Sequence, residues 1–187
     1  NMMPLIVSLV IVTLIITAVI INNQIIGLKN QSSQAFGSIE VYLKKRFDLI
    51  PSLIAMINKY LAHEKDLLVK ITELRAQTEA IQTPEEKIET SNKLTKVMGG
   101  LNVNVENYPD LKADKQFANL EHQLIDIEDQ ISAARRAYNA SITLYNNKIQ
   151  MFPTSVVAGV RKDKTLLLLE IPKADQKEVD VKELLKG

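Results

Sequence analysis

No charged side chain occurs between Asn1 and Leu28. This absence constrains the chain more than any other feature. An apolar stretch without charge becomes a membrane span, a cleaved leader or a fully buried core helix. Pro4 to Ile21 is a run of Leu, Ile, Val and Ala, broken only by Ser8, Thr13 and Thr17. Those hydroxyls can bond back to carbonyls of their own helix, so hydrocarbon tolerates them. At about 1.5 Å rise per residue, roughly 20 residues cross a core of about 30 Å, and the run with its interfacial flanks has that length. A leader would need a basic start and a small-x-small cleavage site; Asn22-Asn23-Gln24-Ile25-Ile26 is a poor junction. A core helix rarely stays uncharged for so long. The expectation is a retained single-pass anchor over residues 1–23, with Pro4 and Ile21 bounding the span and the lipid bilayer as first partner. The basic residues after it are Lys29, then Lys44, Lys45 and Arg46. By the positive-inside rule they favour a cytoplasmic soluble part.

Composition removes several classes of function. The 187 residues carry 23 Lys and Arg against 22 Asp and Glu, a formal charge of +1, so no concentrated basic face points to nucleic acid. There is no cysteine, which excludes disulfides, thiol catalysis and zinc–thiolate sites. Six glycines and six prolines are too few for a turn-rich all-β fold.

The remainder has helical periodicity. Phe117, Leu120, Leu124, Ile127, Ile131, Ala134, Tyr138, Ile142, Tyr145, Ile149 and Phe152 recur at steps of three and four, the seam of one long amphipathic helix. Asp114 is its expected N-cap and Pro153 its stop. Thr83-Pro84-Glu85-Glu86 opens an earlier helix with the stripe Ile88, Leu94, Val97, Met98, Leu101 and Val105. Gly99-Gly100 weakens that helix by about 1 kcal/mol per glycine relative to alanine. A third stripe runs Leu53, Ile54, Ile57, Leu61, Leu68, Ile71 and Leu74, and a fourth Ala35, Ile39, Leu43 and Phe47. Pro51 marks a kink or tight turn, of which the turn is favoured because Asp48 can cap the helix after it. Asn107-Tyr108-Pro109-Asp110 is a clear break. Segments of about 24–46, 50–80, 84–107 and 115–152 bury their stripes best as an antiparallel four-helix bundle. The expected fold is all-α: an N-terminal transmembrane helix, a bundle over 24–152 and a tail over 153–187. Alternating helix directions would bring the end near Phe152 back to the membrane side.

Several motifs together resemble the LemA family. They are Gly37-Ser38-Ile39-Glu40-Val41-Tyr42-Leu43-Lys44-Lys45-Arg46-Phe47-Asp48-Leu49-Ile50-Pro51-Ser52-Leu53, Tyr60-Leu61-Ala62-His63-Glu64, Tyr108-Pro109-Asp110-Leu111-Lys112-Ala113, Ile131-Ser132-Ala133-Ala134-Arg135-Arg136-Ala137-Tyr138-Asn139 and Tyr145-Asn146-Asn147-Lys148-Ile149-Gln150-Met151-Phe152-Pro153. The resemblance covers about residues 28–160. It implies a single-pass membrane protein with a helical-bundle domain. Phe36-Gly37 departs from the Trp and small polar residue usual there.

No catalytic or metal motif emerges. The Glu-x-x-His pairs of di-iron bundles are absent: Tyr60 stands three before His63 and Asn119 three before His122. His63-Glu64 lacks the second histidine of the zinc-protease motif. His122 and Asp126 could share an ion, but surface contacts are the simpler expectation. No cofactor is expected. Beside the seam lies a polar set: Arg46, Asp48, Glu64, Arg75, Glu106, Glu121, Glu128, Arg135, Arg136, Tyr138, Asn139, Tyr145 and Asn146. Paired charges at helix interfaces fix register, because an unpaired buried charge is very costly. In the tail, Leu166, Leu167, Leu168 and Leu169 are too few to span and too apolar to leave in water. This segment is a candidate membrane or oligomer contact, as an interfacial stretch or a strand, or it folds onto its own bundle.

The function expected first is a membrane-anchored, self-associating scaffold without catalysis. A regulatory partner of a membrane protein, such as a quality-control protease, is implied by the family resemblance alone. A ligand- or metal-binding bundle is the third possibility.

Overall fold

A computed structural model describes residues 2–61, 64–80, 84–105 and 107–169, with backbone only at 79, 84, 85 and 101–105. The chain is all-α, an apolar N-terminal helix leading into bundled helices, with no strand among the described residues. Its helices are α1 (Met3–Asp48), α2 (Ile50–Tyr60), α3 (Lys65–Ala80), α4 (Pro84–Val105), α5 (Pro109–Ala113), α6 (Lys115–Gln150) and α7 (Thr154–Arg161). They form two compact units: Ser38–Ala133, and Asn1–Gly37 with Ala134–Gly187.

The start of α1 is an uncharged helix that packs into neither core described below. Residues 2–20 are all exposed, and burial begins at Ile21 and Ile25. Its best 18-residue window has a mean hydropathy of 3.0, so by length and composition it can cross a membrane. The three polar residues hide their hydroxyls within the helix. Ser8 Oγ donates to Leu5 O at 2.9 Å, Thr13 Oγ1 to Leu9 O at 2.9 Å and Thr17 Oγ1 to Thr13 O at 2.8 Å.

In Ser38–Ala133 the stripes converge. Ile50, Leu53, Ile57, Leu61, Ile71, Leu74, Leu94, Met98, Leu111, Phe117, Leu120 and Leu124 make one core. Around it α2 packs on α3, α3 on α4, and α5 on both α2 and α4. Two boundaries differ from the sequence expectation. Asp48 caps nothing: Leu49 keeps a right-handed helical backbone (φ −86°, ψ −15°) and begins α2 without a side-chain cap. The break is a one-residue kink, because Pro51 removes one amide donor while its neighbours bond onward, Leu53 N–H to Leu49 O at 3.1 Å. The expected helix over 50–80 is two helices. Leu61 leaves helical geometry (φ −122°, ψ 32°), and Glu64 N–H bonds back to Leu61 O at 2.8 Å. The stripe hides this break, since Leu61 to Leu68 is a seven-residue step that preserves helical phase. Thr83, the expected cap of α4, lies outside the described residues.

In the other unit, Ile21, Ile25, Tyr145, Ile149 and Ala158 form a second core, with Leu28, Val157 and Leu166 against it. The end of α6 thus lies beside the base of the apolar helix. Within the expected tail over 153–187, Thr154–Arg161 forms α7, whose Ala158 and Val157 join this core. Phe152, expected on the seam, is 83% exposed, because α6 ends at Gln150 and the chain turns. Phe36 meets Tyr138 edge-on, ring centroids 5.4 Å apart, so an aromatic contact exists at the position that departs from the family pattern.

Candidate functional site

The polar residues beside the seam separate into distinct nodes. The most buried is Arg46, 2% exposed, on the α1 segment of the Ser38–Ala133 unit. Its NH1 donates to Ser91 Oγ at 2.7 Å and Ser91 O at 3.3 Å on α4, and it pairs with Glu128 Oε2 on α6. Thr95 Oγ1 lies 3.1 Å from Ser91 O and 3.3 Å from Glu128 Oε2, and its one proton serves one of them. A guanidinium can be this dry only with such partners, so the node sets three helices in one register. Lys44 and Lys45, its neighbours in sequence, stay exposed.

Two tyrosine–carboxylate pairs pin the corners of this unit. Asp114 Oδ1 caps α6, accepting from Gln116 N–H at 2.7 Å and Phe117 N–H at 3.3 Å. Its Oδ2 accepts from the Tyr60 hydroxyl and, at 3.4 Å, from Lys59 Nζ. Those donors, the Tyr60 hydroxyl first and the Gln116 amide next, hold the Asp114 carboxyl down at about 2. Tyr108 donates its hydroxyl to Glu64 Oε1 at 2.8 Å, and that bond to a carboxylate pushes the phenol above its ordinary range. The sequence signalled the cap at Asp114. It held no signal for Tyr60 and Tyr108, whose partners are over forty residues away.

The second unit holds an asparagine clasp. Asn146 accepts the Leu166 N–H on Oδ1 at 2.9 Å and donates Nδ2–H to Leu166 O at 2.9 Å. Asn139 does the same to Leu169, at 2.9 and 2.8 Å. Each side-chain amide therefore acts like one rung of a sheet for an extended segment running opposite to α6. Leu166 faces the core, while Leu167 is 88% and Leu168 56% exposed. Of the tail placements weighed from sequence, the structure takes the fold-back onto its own chain for Leu166 and Leu169. Only Leu167 and Leu168 remain free for another surface. Nearby, Arg161 NH1 donates to Asn22 Oδ1 and Arg161 Nε to Asp163 Oδ2 at 2.7 Å. The buried Tyr145 hydroxyl lies 3.5 Å from Asp163 Oδ1; burial first, then that carboxylate, pushes its pKa up.

Asp48, Arg75 and Arg136 are exposed, Glu121 is half-buried, and Glu106 lies outside the described residues. Arg135 is fully buried, but in the Asn1–Gly37 with Ala134–Gly187 unit, whereas Glu128 belongs to the other. His122 and Asp126 are both exposed, and His63 lies outside the described residues. Among the described residues no three His, Asp or Glu gather as metal ligands. An open depression of about 400 Å³ is lined by Gln24, Gly27, Leu28 and Lys148.

Comparison with known proteins adds a family. The family model described as LemA family matches residues 35–182. Protein LemA of Metamycoplasma hominis is 28% identical over 163 residues, covering 87% of this chain and 74% of that protein.

Proposed function

The chain belongs to the LemA family, and on that footing we propose that it is a membrane-anchored helical scaffold that holds other polypeptides, self-associates and performs no catalysis. One observation carries the anchor. Leu5, Ile6, Val7, Leu9, Val10 and Ile11, pointing in every direction around one helix, are all more than half exposed. A helix apolar on all sides is stable in lipid, where its carbonyls and amides are already paired, and costly in water. Exposed Met151, Phe152, Val156 and Val160 add apolar surface on the turn and helix after α6. Arg161, bonded to Asn22, lies next to the end of the apolar run, so this second surface suits the headgroup region.

Lys29, the basic residue nearest the span along the chain, favours a cytoplasmic soluble part. The polar nodes support a structural and binding role, because Arg46 and Glu128 serve a helix interface and Asp114 serves a helix cap. Alkaline carbonate washing of membranes tests the anchor: the intact chain is expected to stay in the pellet, and its release would overturn the anchor. Light scattering on detergent-extracted protein tests self-association, with a protein mass above one chain expected.

A further inference from the structure

We propose that Asn139 and Asn146 form a binding site for an extended polypeptide segment, that the chain's own Leu166–Leu169 occupies it as an exchangeable resident, and that a partner protein's segment with an aliphatic residue in the Leu166 position takes its place. This site deepens the scaffold reading and rests on it, by naming what the scaffold holds. Peptide binding can fail without the membrane anchor failing, and the reverse.

The site reads backbone. Each asparagine amide offers one donor and one acceptor, and each spends both on the N–H and C=O of one residue. No side chain of the bound segment takes part in those four bonds. The spacing also matches an extended chain. Asn139 and Asn146 are seven residues apart on one helix, about 10.5 Å at 1.5 Å per residue. Leu166 and Leu169 are three residues apart, about 10 Å at 3.3 Å per extended residue. Seven helical residues are close to two full turns, so both amides project from the same face. An extended strand of either origin therefore fits both amides at once.

Selectivity comes from one side chain. Leu166 rests on the core of Ile21, Ile25, Tyr145, Ile149 and Ala158, while Leu167 and Leu168 face outward. The site thus asks for an aliphatic residue at the first gripped position and tolerates variety at the next two. Exchange is feasible because, among the described residues, Leu166–Leu169 is gripped by four asparagine hydrogen bonds and one anchoring side chain, a modest set for a surface segment.

The test uses the full chain in detergent micelles and a fluorescent peptide of residues 163–169. A chain carrying Leu166→Pro and Leu169→Pro cannot donate either amide, so its own tail is released. The peptide is expected to bind this chain saturably. It should bind the unaltered chain at least tenfold more weakly, because a tethered tail competes at an effective concentration of about millimolar. N-methylation of the peptide at Leu166 and Leu169 should weaken binding at least about tenfold. Serine in place of Leu167 and Leu168 should change it by no more than about twofold. Adding Asn139→Ala and Asn146→Ala to the tail-released chain should abolish the preference for the unmethylated peptide. Absence of saturable binding overturns the proposal, as does equal affinity for the methylated and unmethylated peptides. The methylated peptide is no less apolar than its parent and leaves the protein unaltered, so neither greasy adsorption nor a misfolded variant can imitate the expected result.

Discussion

Replacing Glu128 by alanine should be among the most damaging single changes in the Ser38–Ala133 unit. The substitution takes the Glu128 carboxylate from the Arg46 guanidinium, which is 2% exposed and also donates NH1 to the Ser91 hydroxyl and carbonyl. Breaking a fully buried ion pair from one side costs about 3–5 kcal/mol. The Glu128 side chain is 22% exposed, so water enters the vacated space and part of the loss is recovered. The expected cost is then about 2–3 kcal/mol, a fall in melting temperature of roughly 8–24 °C for a domain of this size. Arg46→Met with Glu128→Met removes both charges and should cost less than the sum of the single changes, giving a coupling of about 2 kcal/mol. Far-UV circular dichroism melts and guanidinium titrations in micelles would measure all four corners of this cycle. A Glu128→Ala chain within about 0.5 kcal/mol of the parent, with coupling equally small, would refute the argument that this pair holds α1, α4 and α6 in register.

Local geometry sets three further outcomes. Gly99→Ala and Gly100→Ala should each stabilise by about 0.5–1 kcal/mol in the same titrations, since both glycines are helical and an added Cβ meets nothing within 4 Å. Lys162→Gly should stabilise by up to about 1 kcal/mol, because Lys162 closes α7 with φ at 58°, a conformation glycine adopts without a Cβ penalty; a loss of stability on this change would count against it. The Asp114 carboxyl titrates at about 2 in the fold against 3.8 unperturbed. Its depressed value means that the stability it contributes is fully present above about pH 4 and is lost as pH falls through 2. Asp114→Asn should therefore flatten acid unfolding between those limits, and carboxyl titration by NMR would locate the group directly.

Much of the architecture was legible because it is written in local spacing. The uncharged run, the three-four steps of α6 and the Asp114 cap each depend on residues within one or two turns of one another, whereas α5 falls where the sequence reads as a break. The break between α2 and α3 escaped for a physical reason: a seven-residue step keeps the apolar face in phase whether or not the helix continues. Choosing the partner of a charge was equally beyond periodicity. Glu128 lies 82 positions from Arg46 along the chain, and no apolar period on α1 or α6 says that the two meet.

The sequence by itself determined that this chain is helical, where its apolar stripes run and that its first helix suits lipid, because each depends on the period and composition of a single element. Only the tertiary structure decided that Arg46 meets Ser91 and Glu128, that Tyr60 meets Asp114, and that Asn139 and Asn146 grip the backbone of Leu169 and Leu166. Those contacts join residues between 20 and 82 positions apart along the chain. They exist because folding brings distant donors and acceptors within bonding distance, and no local pattern encodes which ones meet.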